Sequence, residues 1–416
     1  MSQKGKEPRS AVSVERAMEH GLLTIRRIWA GEVPDFDGWG AFELDPEPLT
    51  IHDLNGQALF YEFGVMDGKE LVGSVRTSAS KIVGSAVPAV QLGPRSWHPD
   101  RATRAAKEKV KERYPEAKVT ATELVSYSYP KIGVRVYIED PETERQSLIF
   151  DVATLAPVEE YGVDALEGFS SWSFYQEVAE PNAAEREQRW ERADRELETA
   201  RSTTPKILAP GFTARELANL RATFIPKPQE WQMYVEPIRP ISWRVIRFSP
   251  RCNTHPCFEL YSQKNDYYCA VATGQMILDF YRYYYTQAQI AVPMRTEENH
   301  GSFNADQVNA YEQLSNNCLN ATYDSTADWV EAKAEIDANR PLKSGIPGHA
   351  RACAGWMREN ICVWPGPCRR WLKIYDPWPP DEDGNICKGG AIYWEDWEEE
   401  IHTNFIYVRH RTTPCP

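Results

Sequence analysis

All nine cysteines of this chain lie after residue 251, at 252, 257, 269, 318, 353, 362, 368, 387 and 415. A thiol distribution this one-sided implies two kinds of domain region, one cysteine-free and one cysteine-rich. Nine is also odd. Eight are expected to pair into four disulfides, with Cys252–Cys257 and Cys362–Cys368 closing locally, which leaves the thiol of Cys269 over; in an oxidising compartment such a thiol is either dimerising or reactive. The plainer alternative is a cytosolic chain with scattered buried cysteines. Neither Cys252-x2-His255-x-Cys257 nor Cys362-x5-Cys368 has finger or ribbon spacing, so no metal is expected. Asp381, Asp383 and Asn385 miss the calcium-loop register because Gly384 comes too early.

With 416 residues, two or three domains are expected. Asp and Glu outnumber Lys and Arg by 60 to 47, a formal charge of -13. A chain of that sign repels phosphate backbones, and no basic patch offsets it, so nucleic acid is not an expected partner. No apolar run approaches the length of a membrane span. The polar N-terminus has no signal-peptide core, whereas the cysteine usage points outward. A secreted or extracytoplasmic location is expected, with the cytoplasm as the alternative.

The fold class predicted is α+β. Ala17 to Ala30 reads as an amphipathic helix, followed by alternating strands around an Asp67-Gly68 turn. Asp100 to Tyr114 reads as a charged helix ahead of three strand-like runs. These give two small modules of a helix on an antiparallel sheet, 1–95 and 96–175. Residues 181–201 form a charged helix with Asn182 as N-cap and favourable pairs Glu185–Arg189 and Glu191–Arg195, expected to be a solvated linker within 176–205. Residues 204–250, rich in Pro and Trp, show no clear period. The last region, 206–416, holds seven of the 14 tryptophans between 329 and 397. Its helix is CAVATGQMILDFYRYYY, with Asn265 and Asp266 as candidate caps, and its strands are HARACAGWM, WLKIYDPW, GAIYWEDW and TNFIYVRH.

Cys269 opens that helix, where unpaired N–H groups and the helix dipole favour a thiolate. Gln263, six residues earlier, carries an amide able to donate to an oxyanion. His349 starts a strand after Pro347-Gly348, and Asp376 ends the next. An imidazole beside the thiol takes its proton and returns it to a leaving amine, and a carboxylate on the other ring nitrogen fixes the tautomer. His300 and His402 are the alternative bases, each lacking a strand pair to place it.

The order Gln263, Cys269, His349, Asp376, with the cysteine on a helix start and the other two on consecutive strands, resembles the papain-like cysteine peptidases. Gln263-x5-Cys269 has that superfamily's oxyanion-hole spacing. The local papain signature is absent, since Tyr267, Tyr268 and Ala270 flank the cysteine. The histidine also follows after 80 residues rather than the roughly 130 to 150 of papain. The segments RPLKSGIPGHARACAGW and LKIYDPWPP are similar to the compact bacteriocin-leader (double-glycine) peptidase branch, although Tyr268-Cys269-Ala270 replaces its usual Asp-Cys-Gly. The resemblance covers about 260–410.

The resemblance implies a thiol endopeptidase acting on protein or peptide substrates, without cofactor. It further implies that the N-terminal modules are a zymogen prosegment; a permanent scaffold is the alternative. Acyl transfer of the transglutaminase type uses the same residues, and a catalytically silent binding protein would keep the fold. Oligomeric state is not legible.

Overall fold

The computed structural model describes residues 10–139, 146–158, 171–203, 208, 241–246, 258–298, 301–359, 369–381, 383–399 and 401–412. Helix α1 (Val14–Ala30) begins where the Ser13 hydroxyl accepts from the Arg16 N–H at 3.2 Å, satisfying an orphan donor of the first turn. Five strands follow: β1 (Glu43–Leu44), β2 (Leu49–Asp53), β3 (Ala58–Asp67), β4 (Glu70–Ser78) and β5 (Ala89–Leu92). The β3–β4 hairpin turns at Asp67-Gly68, as read from the sequence, with Gly68 at φ +60°. Helix α2 (Pro99–Arg113) is followed by β6 (Lys118–Ser128), β7 (Lys131–Glu139), β8 (Gln146–Asp151) and β9 (Pro157–Val158), and it buries Ala102, Ala106 and Val110, one i,i+4 row, in a cluster with Val134 and Val136 of β7 and Phe150 of β8.

Helix α3 (Ala183–Thr203) forms where the charged pattern predicts, and the Glu185–Arg189 pair closes at 2.9 Å. It is not a solvated tether. Arg186, Trp190, Ala193 and Leu197 make a buried stripe at i, i+4, i+7 and i+11. Its flank is zipped to α1 by Arg16–Asp194 at 2.9 Å, His20–Asp194 at 3.0 Å and Arg27–Glu196 at 3.0 Å.

The C-terminal part continues with β10 (Ile241–Val245), α4 (Cys269–Phe280), α5 (Gln287–Ala291), α6 (Asn304–Leu314), β11 (Leu319–Asp324), α7 (Trp329–Asp337), β12 (Leu342–Ile346), β13 (His349–Glu359), β14 (Arg370–Asp376), β15 (Ala391–Asp396) and β16 (Asn404–His410). Of the unassigned 204–250 stretch, 241–245 is a strand; nearly all the rest lies outside the described residues. Helix α4 stops at Phe280, short of the expected run to Tyr285, and Arg282 just beyond it adopts φ +72°.

The molecule is mixed α+β with one large sheet, in the order β11-β16-β12-β13-β14-β15-β5-β4-β3-β2-β6-β7-β8-β9; β1 is added to β3 and β10 to β13. The strands expected in separate modules therefore hydrogen-bond in a single ladder. At its middle, β15 pairs with β5, Ile392 opposite Leu92 and Glu395 opposite Ala89. The parallel β2–β6 pair joins the two N-terminal groups of strands. Cores also cross the seam. Ile25, Ile28 and Val90 share a cluster with Ile241, Met357, Trp371 and Trp394, and Ile132 and Phe174 share one with Ile346, Trp378 and Ile401. Below the seam, Lys373 pairs with Asp35 at 2.8 Å, both largely buried. Among the described residues no helix is long and apolar enough to cross a membrane.

Candidate active site

Cys269 is the first residue of α4 and is 1% exposed. The residue preceding the helix is Tyr268, which makes no side-chain cap; Asn265, expected to cap, instead accepts from the Tyr267 N–H at 3.2 Å and closes a local turn. The cysteine amide thus lies among the first-turn donors that lack helical partners. Thr273, one turn on, donates to the Ala350 carbonyl at 3.1 Å, pinning the helix start to the first residues of β13. Cys269, Ala270 and Ala350 form their own buried cluster there.

His349 stands beside them because the two-residue Pro347-Gly348 turn, with Gly348 at φ +68°, pairs Ile346 with His349 and ends the hairpin there. Strand β14 lies next to β13 and ends at Asp376, whose Oδ1 is 2.7 Å from His349 Nε2. The same oxygen accepts from the Trp378 N–H at 2.9 Å, and Oδ2 accepts from the Tyr393 hydroxyl at 2.7 Å. The remaining ring nitrogen, Nδ1, is buried with no hydrogen bond of regular geometry. It is the nitrogen left for the Cys269 thiol, which interacts with the ring.

Burial alone would lower the His349 pKa, but the Asp376 carboxylate, followed by Cys269, outweighs it and holds the imidazole above its ordinary value. Burial pushes Asp376 upward, yet His349, then Arg351 and the Trp378 amide hold it below the usual carboxylate range. The pairing thus favours the charged form of each group.

Gln263 is also buried, and its backbone N–H reaches the Pro377 carbonyl at 2.9 Å, tying it to the exit of β14. Its side-chain amide donates to the Asn265 carbonyl at 2.6 Å, so only the second amide hydrogen is left for an oxyanion. Of the alternative bases, His300 lies outside the described residues. The His402 side chain is buried 3.4 Å from Glu395 Oε2, and its Nδ1 lies 2.9 Å from the Ser344 hydroxyl.

The expectation that every cysteine but Cys269 is paired is corrected by Cys353, which is also free. It sits in mid-strand opposite Leu342 and Ile374, with no thiol across from it, and burial pushes its pKa up to about 12. Cys318 and Cys387 are disulfide-bonded. Cys252, Cys257, Cys362, Cys368 and Cys415 lie outside the described residues. Among the described residues no group of three or more His, Cys, Asp or Glu side chains is placed to hold a metal.

Sequence reasoning missed the charged shell behind the dyad. Arg351 is bidentate with Glu395 at 2.9 and 2.8 Å and donates to the Tyr393 oxygen at 2.8 Å. The signal was available: His349 and Arg351 share a face of one apolar strand, as do Tyr393 and Glu395 on another. The N-terminal half reaches the same place. Tyr129, at the β6–β7 turn, donates to Glu395 at 3.0 Å, and Trp378 donates to Asp151 at 3.2 Å. A cleft of about 440 Å³ opens between the two halves, lined by Trp97, Arg101 and Thr154 on one side and Lys264, Pro380 and Asp381 on the other. Lys264 follows Gln263 directly in sequence, and Pro380 comes four residues after Asp376.

Residues 257–398 match the model of the Peptidase_C39 like family. No curated protein is matched by the chain. Two solved structures are similar over the same share of the chain. One is the peptidase domain of Streptococcus ComA, a bifunctional ABC transporter involved in a quorum sensing pathway: 13% identity, 37% of this chain, 99% of that one, TM-score 0.27. The other is a double glycine motif protease from an AMS/PCAT transporter in complex with the leader peptide: 15% identity, 36% and 91% coverage, TM-score 0.25.

Proposed function

We propose, from the premise that the C-terminal part is a papain-like domain of the C39-peptidase branch, that the chain is a thiol peptidase with Cys269 as nucleophile, His349 as base and Asp376 as orienting carboxylate. The observation that carries the reading is the buried 2.7 Å contact of His349 Nε2 with Asp376, which leaves Nδ1 to the Cys269 thiol. Cys269 gives its proton to His349 Nδ1, and the resulting thiolate attacks a peptide carbonyl. The Cys269 backbone N–H and the second Gln263 amide hydrogen receive the oxyanion. The imidazolium then protonates the leaving amine, and water, deprotonated by His349, releases the acyl-enzyme. Peptides enter by the cleft between Lys264 and Thr154.

Of the two roles expected for the N-terminal half, the observations favour a permanent platform over a prosegment that is cut away. Removing it would open the β15 edge and expose Met357, Trp371 and Trp394, at about 1.5 to 3 kcal/mol for each large buried apolar side chain. The disulfide-bonded Cys318 and Cys387 favour an oxidising compartment.

The test compares the full chain with Cys269→Ala on a denatured protein substrate. Cleavage by the first and none by the second is the expected result; equal rates in both would refute the assignment, and no cleavage by either would favour a silent member of the fold. In parallel, a 206–416 fragment should be less soluble and less active than the whole chain. A fragment more active than the chain would restore the prosegment.

A further inference from the structure

Asp376 can hold His349 only if its carboxylate plane is fixed, and one oxygen alone does not fix it. Oδ1 is engaged by His349 and the Trp378 N–H; rotation about the terminal torsion is stopped at Oδ2, by the Tyr393 hydroxyl at 2.7 Å. Burial, then Asp376 and Glu395, keep the Tyr393 phenol protonated, so it stays a donor. Its oxygen accepts from Arg351, which strengthens that O–H as a donor. Arg351 is in turn locked by Glu395, and Glu395 Oε1 also accepts from Tyr129 of the N-terminal half.

We propose that Tyr393 is a positioning residue for the Asp376–His349 dyad and that Tyr129 sets it from the other half of the molecule, through Glu395 and Arg351. The proposal rests on the thiol-peptidase reading and deepens it: the N-terminal half is part of the catalytic apparatus as well as its support.

The groups facing this chain come from every neighbouring element. His349 and Arg351 lie on β13, and Tyr393 and Glu395 on β15. His402 from the segment before β16 is 3.4 Å from Glu395, and burial lowers its pKa to about 4, so it is neutral there. Arg76 of β4 lies over the Tyr129 ring at 5.8 Å and is neutralised by Glu62 at 2.8 Å. Glu399 bears on Tyr129 more distantly. None of these offers Asp376 Oδ2 a second donor, whereas Arg351 keeps Glu395 when the phenol oxygen is lost. Tyr393→Phe should therefore fold.

The experiment needs no identified substrate. Full-length wild type, Tyr393→Phe, Tyr129→Phe and Cys269→Ala are alkylated natively with iodoacetamide from about pH 4 to about pH 9, and labelling is mapped by mass spectrometry. Cys353, whose thiol is pushed up to about 12, serves as the unreactive internal thiol. In the wild type Cys269 should react well below the pH at which an ordinary thiol ionises. Tyr393→Phe should react roughly tenfold more slowly near pH 6, its acid limb displaced upward by about one pH unit. Tyr129→Phe should shift the same way by roughly threefold. A purely structural network would lower the melting temperature and leave the limb where it was; superimposable limbs in both variants overturn the proposal. If Tyr393→Phe fails to fold, Tyr129→Phe decides alone. A wild-type Cys269 that is silent below about pH 8 sinks the thiol-peptidase reading itself, and with it this one.

Discussion

Two histidines in the C-terminal part bury their side chains beside a carboxylate, and their surroundings drive them in opposite directions. His349 meets Asp376 at 2.7 Å and is held above its ordinary pKa; His402 meets Glu395 at 3.4 Å and is pushed down to about 4. Desolvation is the largest influence on both. What separates them is whether the carboxylate is already taken. Glu395 is held by both forks of Arg351 and by Tyr129, so it has little attraction left for an imidazolium, and the guanidinium repels one. Among the described residues Asp376 accepts only neutral donors besides His349, the Trp378 N–H and the Tyr393 hydroxyl. Proximity of an acid does not make a base; an acid whose charge no other cation neutralises does.

The comparison is broken most severely by deleting each ring. His349→Ala should lower turnover by three orders of magnitude or more, nearly as far as loss of the thiol, while His402→Ala should keep it within about threefold. Steady-state assays of both on one substrate check this; the reverse ranking would hand the base to His402.

Next in size is a change that frees the committed acid. Arg351→Met should leave Glu395 buried and unpaired, costing about 3 to 5 kcal/mol of stability, and should raise the His402 pKa as Glu395 turns to it. Denaturant melts and NMR titration of the ring report the two effects.

The third prediction concerns pH. Because His402 has a depressed pKa in the folded chain, the unfolded chain binds its proton first on acidification. Its contribution is intact above the unfolded value near 6.5 and declines as pH falls toward about 4, amounting to a few kcal/mol. His349, with a raised pKa, adds stability below about 6.5 that fades as pH rises through its folded value. His402→Gln should flatten the acid side of the stability curve, and His349→Gln should remove the contribution that fades toward alkaline pH. Melts across pH resolve the pair, and the same sign for both would contradict the contrast drawn here.

A smaller loss than that of His349→Ala falls on Gln263→Ala, on the order of a hundredfold in kcat, because the helix-start amide of Cys269 remains as a donor. A loss equal to that of His349→Ala would make the glutamine part of the dyad's support instead.

The candidate site was legible because each member sits at the edge of an element, and edges are marked in sequence: Pro347-Gly348 before His349, Pro377 after Asp376, an apolar helical run after Cys269. The seam between halves was not. Leu92 and Ile392 pair across 300 residues, and each strand on its own reads as an ordinary edge. Helix α3 was misread as solvated because its buried stripe opens on Arg186, a residue whose charge hides its location. In the folded chain Arg186 donates to the Val83 and Glu399 carbonyls, which a period of apolar residues cannot reveal. Cys353 was assigned a partner from the odd count and the clustering of the cysteines in one region, although its place inside an apolar strand already described a small hydrophobe.

The most direct test of the central claim is the pH profile of Cys269 alkylation in the intact chain, read against the same profile for His349→Ala. The account predicts a wild-type thiol that stays reactive well into the acid range and a His349→Ala thiol that reacts only as an ordinary cysteine does, with an apparent pKa near 8.5. Coincident profiles, or acid reactivity lost in His402→Ala instead, would contradict it.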